Sequence, residues 1–151
     1  MKGITAYLTA ARRIALFHDE MLTCACRKHH LTLMEANVIS FLSNNPDKDT
    51  ASDIVELRMF SKAAVSKAVD GLMTAGFVAR HADDADRRII HLSLTPLACE
   101  AQEDIVQCNL DYIDCLFAGF TNEELGMFTH FYQRMANNAK EKLNAGKRKE
   151  L

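Results

Sequence analysis

The stretch Ser61–Thr95, SKAAVSKAVDGLMTAGFVARHADDADRRIIHLSLT, constrains the fold of this chain more than any other. Ser61 is a good N-cap, and Val65, Ala68, Val69, Leu72 and Met73 follow at helical spacing. Gly76 suits the left-handed position just past a helix end. Phe77 to Ala82 then takes on strand character, and Asp83-Asp84-Ala85-Asp86 forms a charged turn. From Arg88 to Leu94 the residues Ile90, Leu92 and Leu94 alternate with His91 and Ser93, which predicts a half-buried strand. A helix running straight into a β-hairpin whose tip is acidic and then basic has the pattern of a recognition helix followed by a wing.

The rest of the chain reads as helices. Thr32-Leu33-Met34-Glu35 is a capping box, opening a helix that carries Val38, Phe41 and Leu42 and stops before Pro46. Asp47-Lys48-Asp49 is a turn, and Thr50 caps a short helix over residues 51–57, with Ile54 and Leu57 expected to face inward. Arg58-Met59-Phe60 is a connection of the length that a helix-turn-helix requires. Before this unit lies a long helix over about residues 3–28, with Ile4, Tyr7, Leu8, Ala11, Ile14, His18, Leu22 and Ala25 on one stripe. After it, Thr95-Pro96 predicts a capped start with proline at the first helical position. Leu97, Ala101, Ile105, Cys108, Tyr112, Cys115 and Leu116 continue that helix's apolar stripe until Gly119. A second capping box, Thr121 to Glu124, opens the last helix, whose stripe is Leu125, Phe128, Tyr132, Met135, Ala139 and Leu143. The polar end, residues 147–151, is expected to fray.

A chain of 151 residues predicts one domain, with a winged-helix core at about residues 32–95. The fold class expected is mostly α with a small β-hairpin wing, flanked by terminal helices at about 3–28 and 96–145. One copy of these terminal stripes leaves apolar surface uncovered, and a twofold homodimer covers it most simply. Such a dimer also places two recognition helices on one face, as a palindromic operator requires. No apolar run reaches membrane-spanning length and the N-terminus lacks a signal-peptide pattern, so a cytoplasmic protein without membrane contact is expected.

The formal net charge of −2 argues against nucleic acid at first. Its distribution reverses the argument. No Lys or Arg occurs between Ile89 and Gln133, where seven acids do, whereas residues 58–91 carry six bases against four acids. The local field at the hairpin, not the total, decides contact with phosphate.

The segment DDADRRIIHLSLT resembles the D-x-x-D-R-R-x-x-x-L-x-L-T wing signature of the MarR (multiple antibiotic resistance regulator) family of bacterial transcription factors. The order and length of the flanking helices extend the resemblance over most of the chain. Ala85 departs from it where many relatives carry Arg, and Ala98 where the family often has Gly. The resemblance implies a dimeric DNA-binding regulator, a repressor released by a small-molecule effector bound between the dimer helices and the winged domain. Here the walls of that cleft would come from the first, second and fifth helices.

At about 100° per residue, with Val65, Val69 and Leu72 inward, the opposite face of the central helix carries Ala63, Lys67, Asp70 and Thr74. Ser66 lies at its edge, and Ser61 and Lys62 sit in the first turn. Small Ala63 and Ala64 would let the helix sit deep in a major groove, Ser66 and Lys67 would donate to bases or phosphates, and the helix N-terminus favours a phosphate. Without the adjoining wing, the same pattern would read as an ordinary solvated face. Arg87 and Arg88 point to opposite sides on a two-residue period, one toward a minor groove and the other toward an acid such as Asp86. The family resemblance assigns Arg87 to DNA and Arg88 to support.

The cysteines and histidines raise two other chemistries. Cys24 and Cys26 lie about 200° apart on a helix and do not share an ion. Cys26 with His29 or His30 shares a face, but zinc needs further ligands, from Glu35 or a second subunit, so an ordinary helix end is expected and no metal or cofactor. Arg27, Lys28, His29 and His30 would lower a nearby thiol pKa, while Cys99, Cys108 and Cys115 read as core or interface fillers. Some MarR relatives sense peroxide at a cysteine near the start of the first helix; residues 4–8 contain none. No Gly-rich phosphate loop, G-x-S-x-G or H-E-x-x-H is present, so an enzyme is not expected. The alternative readings are a winged-helix protein-interaction module without DNA binding, and a regulator responding to metal or thiol oxidation.

Overall fold

Side-chain caps set most of the helix starts. The computed structural model describes residues 3–147 and, within the last helix, side chains as far as residue 144. Residues 148–151 of the polar tail lie outside the described residues. The elements are α1 (Ile4–Lys28), α2 (Leu33–Asn44), α3 (Ala51–Arg58), α4 (Lys62–Thr74), β1 (Val78–Ala82), β2 (Ile90–Leu94), a 3-10 turn (Pro96–Ala98), α5 (Cys99–Leu116) and α6 (Asn122–Lys147). Thr32 with Glu35, Thr50 with Asp53 and Thr121 with Glu124 form capping boxes, each satisfying two backbone N–H groups reciprocally. Ser61 Oγ accepts from the Ala64 amide at 3.2 Å.

α4 ends in a Schellman motif. Gly76 takes φ +79°, the Phe77 amide donates to the Leu72 carbonyl at 2.8 Å, and the Gly76 amide donates to that of Met73 at 3.0 Å. The chain thereby turns directly into β1, which pairs antiparallel with β2 in the register Val78↔Leu94 through Ala82↔Ile90. α1 ends the same way with His30 at φ 54°, Leu31 donating to the Cys26 carbonyl at 2.9 Å.

The chain divides into two units, the second beginning at Asp114. In the first, Leu22 and Ala25 of α1, Val38, Ile39 and Phe41 of α2, Ile54 of α3, Val65, Val69 and Leu72 of α4, Leu92 of β2 and Ile105 of α5 form one buried cluster. Gly71 lies where a Cβ would overlap the Glu35 carboxylate, so its missing side chain leaves room for the acid that caps α2. A polar strip crosses this core. Asn109 Nδ2 donates to Ser40 Oγ at 3.0 Å, and Asn109 Oδ1 lies 3.1 Å from His18 Nε2. Among the described residues, no buried side-chain polar atom lacks a partner.

Several sequence expectations need correction. Leu57 is 54% exposed; Ile54 and Val55 take the inward places, and the left-handed Met59 turns the chain away just beyond Leu57. Arg88 and Ile89 are not in the strand, because the Ile89 amide donates to the Asp86 carbonyl at 2.8 Å and closes a turn over 86–89. Ile90 is consequently more exposed than a half-buried strand would make it. Thr95 does not cap with its side chain; its hydroxyl donates to the Gly76 carbonyl at 2.6 Å. The 3-10 turn shifts the register after it, so Ala98 and Ala101 face the core and Leu97 faces out.

Exposed apolar residues concentrate on the terminal helices. Ile4, Tyr7, Leu8, Ile14 and Leu16 are exposed on the first half of α1. On α6, Phe128, Phe131, Tyr132, Met135 and Leu143 are exposed, and none of its described residues is fully buried.

Candidate nucleic-acid interface

α4 buries Val65, Ala68, Val69 and Leu72, which leaves Ser61, Lys62, Ala63, Ser66, Lys67, Asp70 and Thr74 exposed and Ala64 half-buried. The outward face is therefore the one its periodicity predicts. Its first turn exposes small residues and free N–H groups, the electropositive end of the helix dipole.

The six bases between residues 58 and 91 are not equally free. Arg58 lies over the Phe41 ring, 6.0 Å from its centroid, and burial lowers its pKa. Arg80 on β1 pairs with Asp70 at 2.9 Å, tying the wing's first strand to the outer face of α4. Arg88 holds Asp86 through two nitrogens, at 2.9 and 2.7 Å. That bidentate grip lowers the Asp86 pKa and raises that of Arg88. Lys62, Lys67 and Arg87 remain, among the described residues, without an acidic partner. The alternation argument for Arg87 and Arg88 does not apply, because neither residue is on β2. Both lie in the turn before it, and the local Asp86 captures Arg88.

Asp83 shapes the wing tip. Its Oδ1 accepts from the Ala85 and Asp86 amides at 2.8 Å each, and these bonds, the Asp86 one foremost, hold its carboxyl below the ordinary range. Its other oxygen lies 3.2 Å from His91 Nε2, while His91 Nδ1 lies 2.6 Å from Asp49. Sequence reasoning missed both the Arg80–Asp70 and the His91 contacts. Their sequence separations of 10 and 42 residues leave no local signal.

A cavity of about 240 Å³ adjoins this face, lined by Ser52 and Val55 of α3, Lys62 and Ser66 of α4, and Arg80 of β1. A larger one, about 560 Å³, lies along α1 against Leu31 and Leu33, with Asp19, Glu20, Arg27 and His30 at its polar edge.

The metal and thiol candidates are rearranged. Cys26 is buried, and burial pushes its thiol pKa up, contrary to the expected effect of the nearby bases. Burial raises Cys108 as well, Cys24 is exposed, and Cys99 and Cys115, expected as core or interface fillers, are exposed and not in the core. His29 comes together not with Cys26 but with Glu100 and Asp104. Lys28 Nζ already sits between those carboxylates, 2.9 Å from Glu100 and 2.8 Å from Asp104, so the cluster is a satisfied ion pair joining α1 to α5. No helix among the described residues is long and apolar enough to cross a membrane.

Residues 29–89 match the MarR family. Among curated proteins, none matches the chain. Of the solved structures, a MarR-family transcriptional regulator from Silicibacter pomeroyi is 24% identical, covering 91% of this chain and 90% of its own, with a TM-score of 0.75. The S. aureus MepR–DNA complex is 16% identical over 91% and 98%, at 0.74. Bordetella bronchiseptica BpsR, whose DNA binding is regulated by 6-hydroxynicotinic acid, is 21% identical over 87% and 98%, at 0.68. At such identities the structural likeness establishes the fold. Taken with the sequence match over residues 29–89, it shows a winged helix-turn-helix fold similar to that of MarR-family transcriptional regulators.

Proposed function

We propose that the protein is a dimeric, sequence-specific DNA-binding transcriptional regulator, a repressor released by a small-molecule ligand. The observation that carries this reading is the outward face of α4: Ser61, Lys62, Ala63, Ser66 and Lys67 stand exposed, with two unpaired lysines, in the same unit as a wing turn that presents unpaired Arg87. In this reading α4 enters the major groove and Arg87 the minor groove, Ala64 gives the backbone close approach, and Arg88 braces the turn through Asp86. That a fold neighbour was solved on DNA and another responds to an aromatic acid supports the reading. The apolar stripes of α1 and α6 support the homodimer, because an exposed apolar face of that length calls for a partner. With two copies, the terminal helices at 3–28 and 96–145 serve as the dimerisation elements.

Capture of genomic fragments followed by sequencing tests the reading and yields the operator; enrichment of a palindromic site is expected. On that operator and a scrambled duplex, across a salt series, Arg87→Ala should weaken both to a similar extent. It should also flatten the salt dependence, by about 0.9 in log–log slope for each phosphate that is no longer neutralised. Lys67→Ala should cost roughly 1–3 kcal/mol on the operator and relax preference at one position. A chain that enriches no fragment and binds neither duplex at low salt is an interaction module instead.

A further inference from the structure

A wing is useful only if its tip is held at a fixed angle to the recognition helix. In this chain the residue that spans the wing turn and the helix-turn-helix is a histidine. His91 lies on β2, its Nδ1 2.6 Å from Asp49 in the loop before α3 and its Nε2 3.2 Å from Asp83 in the wing turn. A neutral imidazole has a single N–H, so one ring satisfies two carboxylate acceptors only when both nitrogens are protonated. The backbone joins the same two places: the Leu92 amide donates to the Asp49 carbonyl at 2.7 Å, and Thr50 and His91 form an isolated bridge. Asp83, in turn, organises the tip through the Ala85 and Asp86 amides.

We propose that His91 is a positioning residue for the nucleic-acid interface: as an imidazolium it ties the wing turn to the helix-turn-helix, and on losing its proton it releases the turn. The inference rests on the reading that α4 and the wing meet DNA. The charged groups around the ring are Asp49 and Lys48 in the loop, Asp53 in the first turn of α3, Asp83 in the wing turn and His81 directly across the strand pair. Acids predominate, and the hydrogen bonds to Asp49 and then Asp83 raise the His91 pKa. The folded value is thus above the ordinary one. The clamp is fully present below the ordinary histidine range and is lost as pH rises through the raised value.

Two measurements on the full chain test this. By NMR, the His91 ring signal should titrate on the alkaline side of an ordinary histidine, move back in Asp49→Asn, and be accompanied by loss of hydrogen-exchange protection at the Ala85 and Asp86 amides. By fluorescence anisotropy, wild-type affinity for a fixed scrambled duplex at low salt should fall several-fold across that same titration. His91→Gln should bind at the weaker level and lose this component of the pH dependence, and His91→Lys, a cation throughout the range, should keep the tighter binding on the alkaline side. Wing amides equally protected on both sides of the titration, or a His91→Gln protein with the wild-type pH profile, would overturn the proposal. Failure to bind any duplex at any pH would refute the DNA-binding reading instead, and the exchange measurement would still decide the clamp.

Discussion

Gly76 is the sharpest single test of how α4 hands over to the wing. Its φ of +79° lies in the left-handed region, where a Cβ crowds the carbonyl and costs an ordinary residue roughly 1–2 kcal/mol. Alanine also restricts the unfolded chain more than glycine, which returns about 0.4–1 kcal/mol. The added Cβ would lie 3.3 Å from Leu97 Cδ2. Leu97 is 63% exposed, so the end of its side chain moves aside at little cost. Gly76→Ala should therefore destabilise the protein by about 1 kcal/mol, and Gly76→Asn by less, because asparagine tolerates the left-handed conformation. Urea denaturation followed by circular dichroism, at one protein concentration, reads the difference as a lower midpoint at unchanged slope. An alanine variant as stable as wild type would refute the reasoning, since the strain would then be absent or relieved by a rearranged junction.

Thr50→Ala removes the side-chain half of the α3 capping box, leaving the amide of residue 50 to donate to Asp53, and should cost about 1 kcal/mol, read from the same urea transition. Ile105→Ala, at a fully buried position on α5, should cost about 2–5 kcal/mol; a smaller effect, below about 1 kcal/mol, would mean the site collapses around the smaller side chain. Deletion from Thr121 onward removes α6 and should give an insoluble or misfolded product. A soluble, well-folded monomer in analytical ultracentrifugation would end the dimer argument. Acidification should lower stability through Asp104, which is held low by Lys28 and then His29, and through Glu100, held low by Lys28. Folded values below the unfolded ones give a contribution that is present above the ordinary carboxylate range and lost as pH falls through the folded values. Lys28→Met should shrink that acid-side loss in urea midpoints measured as a function of pH.

Caps and turns are legible in the sequence because their causes are local. Thr32 with Glu35, Thr50 with Asp53 and Thr121 with Glu124 act across three residues, and Gly76 acts on its own backbone. The inward and outward faces of α4 follow from its period for the same reason. Leu57 and Leu97 depart from their expected places at element ends: Leu57 lies in the last turn of α3, where the chain turns away at Met59, and Leu97 lies within the 3-10 turn that precedes α5. The wing's charge pattern shows that bases are present but not which are already paired. The family resemblance singles out Arg87, but that Asp70 neutralises Arg80 and Asp86 neutralises Arg88 is visible only in the folded chain. In the sequence His91 is simply the polar half of an alternating strand, and its partner Asp49 belongs to a turn 42 residues earlier.

The polar strip through Ser40, Asn109 and His18 limits how the first unit can respond to anything that binds it. Apolar helix faces slide past one another with little change in energy; a chain of directional bonds does not. Moving α5 along α2 by one helical turn, about 5.4 Å, would break the Asn109–Ser40 bond and strand a hydroxyl that is only 1% exposed, a penalty of about 1–3 kcal/mol. The same movement would pull Asn109 from His18 on α1. α1, α2 and α5 are thus indexed to one another like gear teeth, and sliding any one of them along its neighbours costs directional bonds as well as packing.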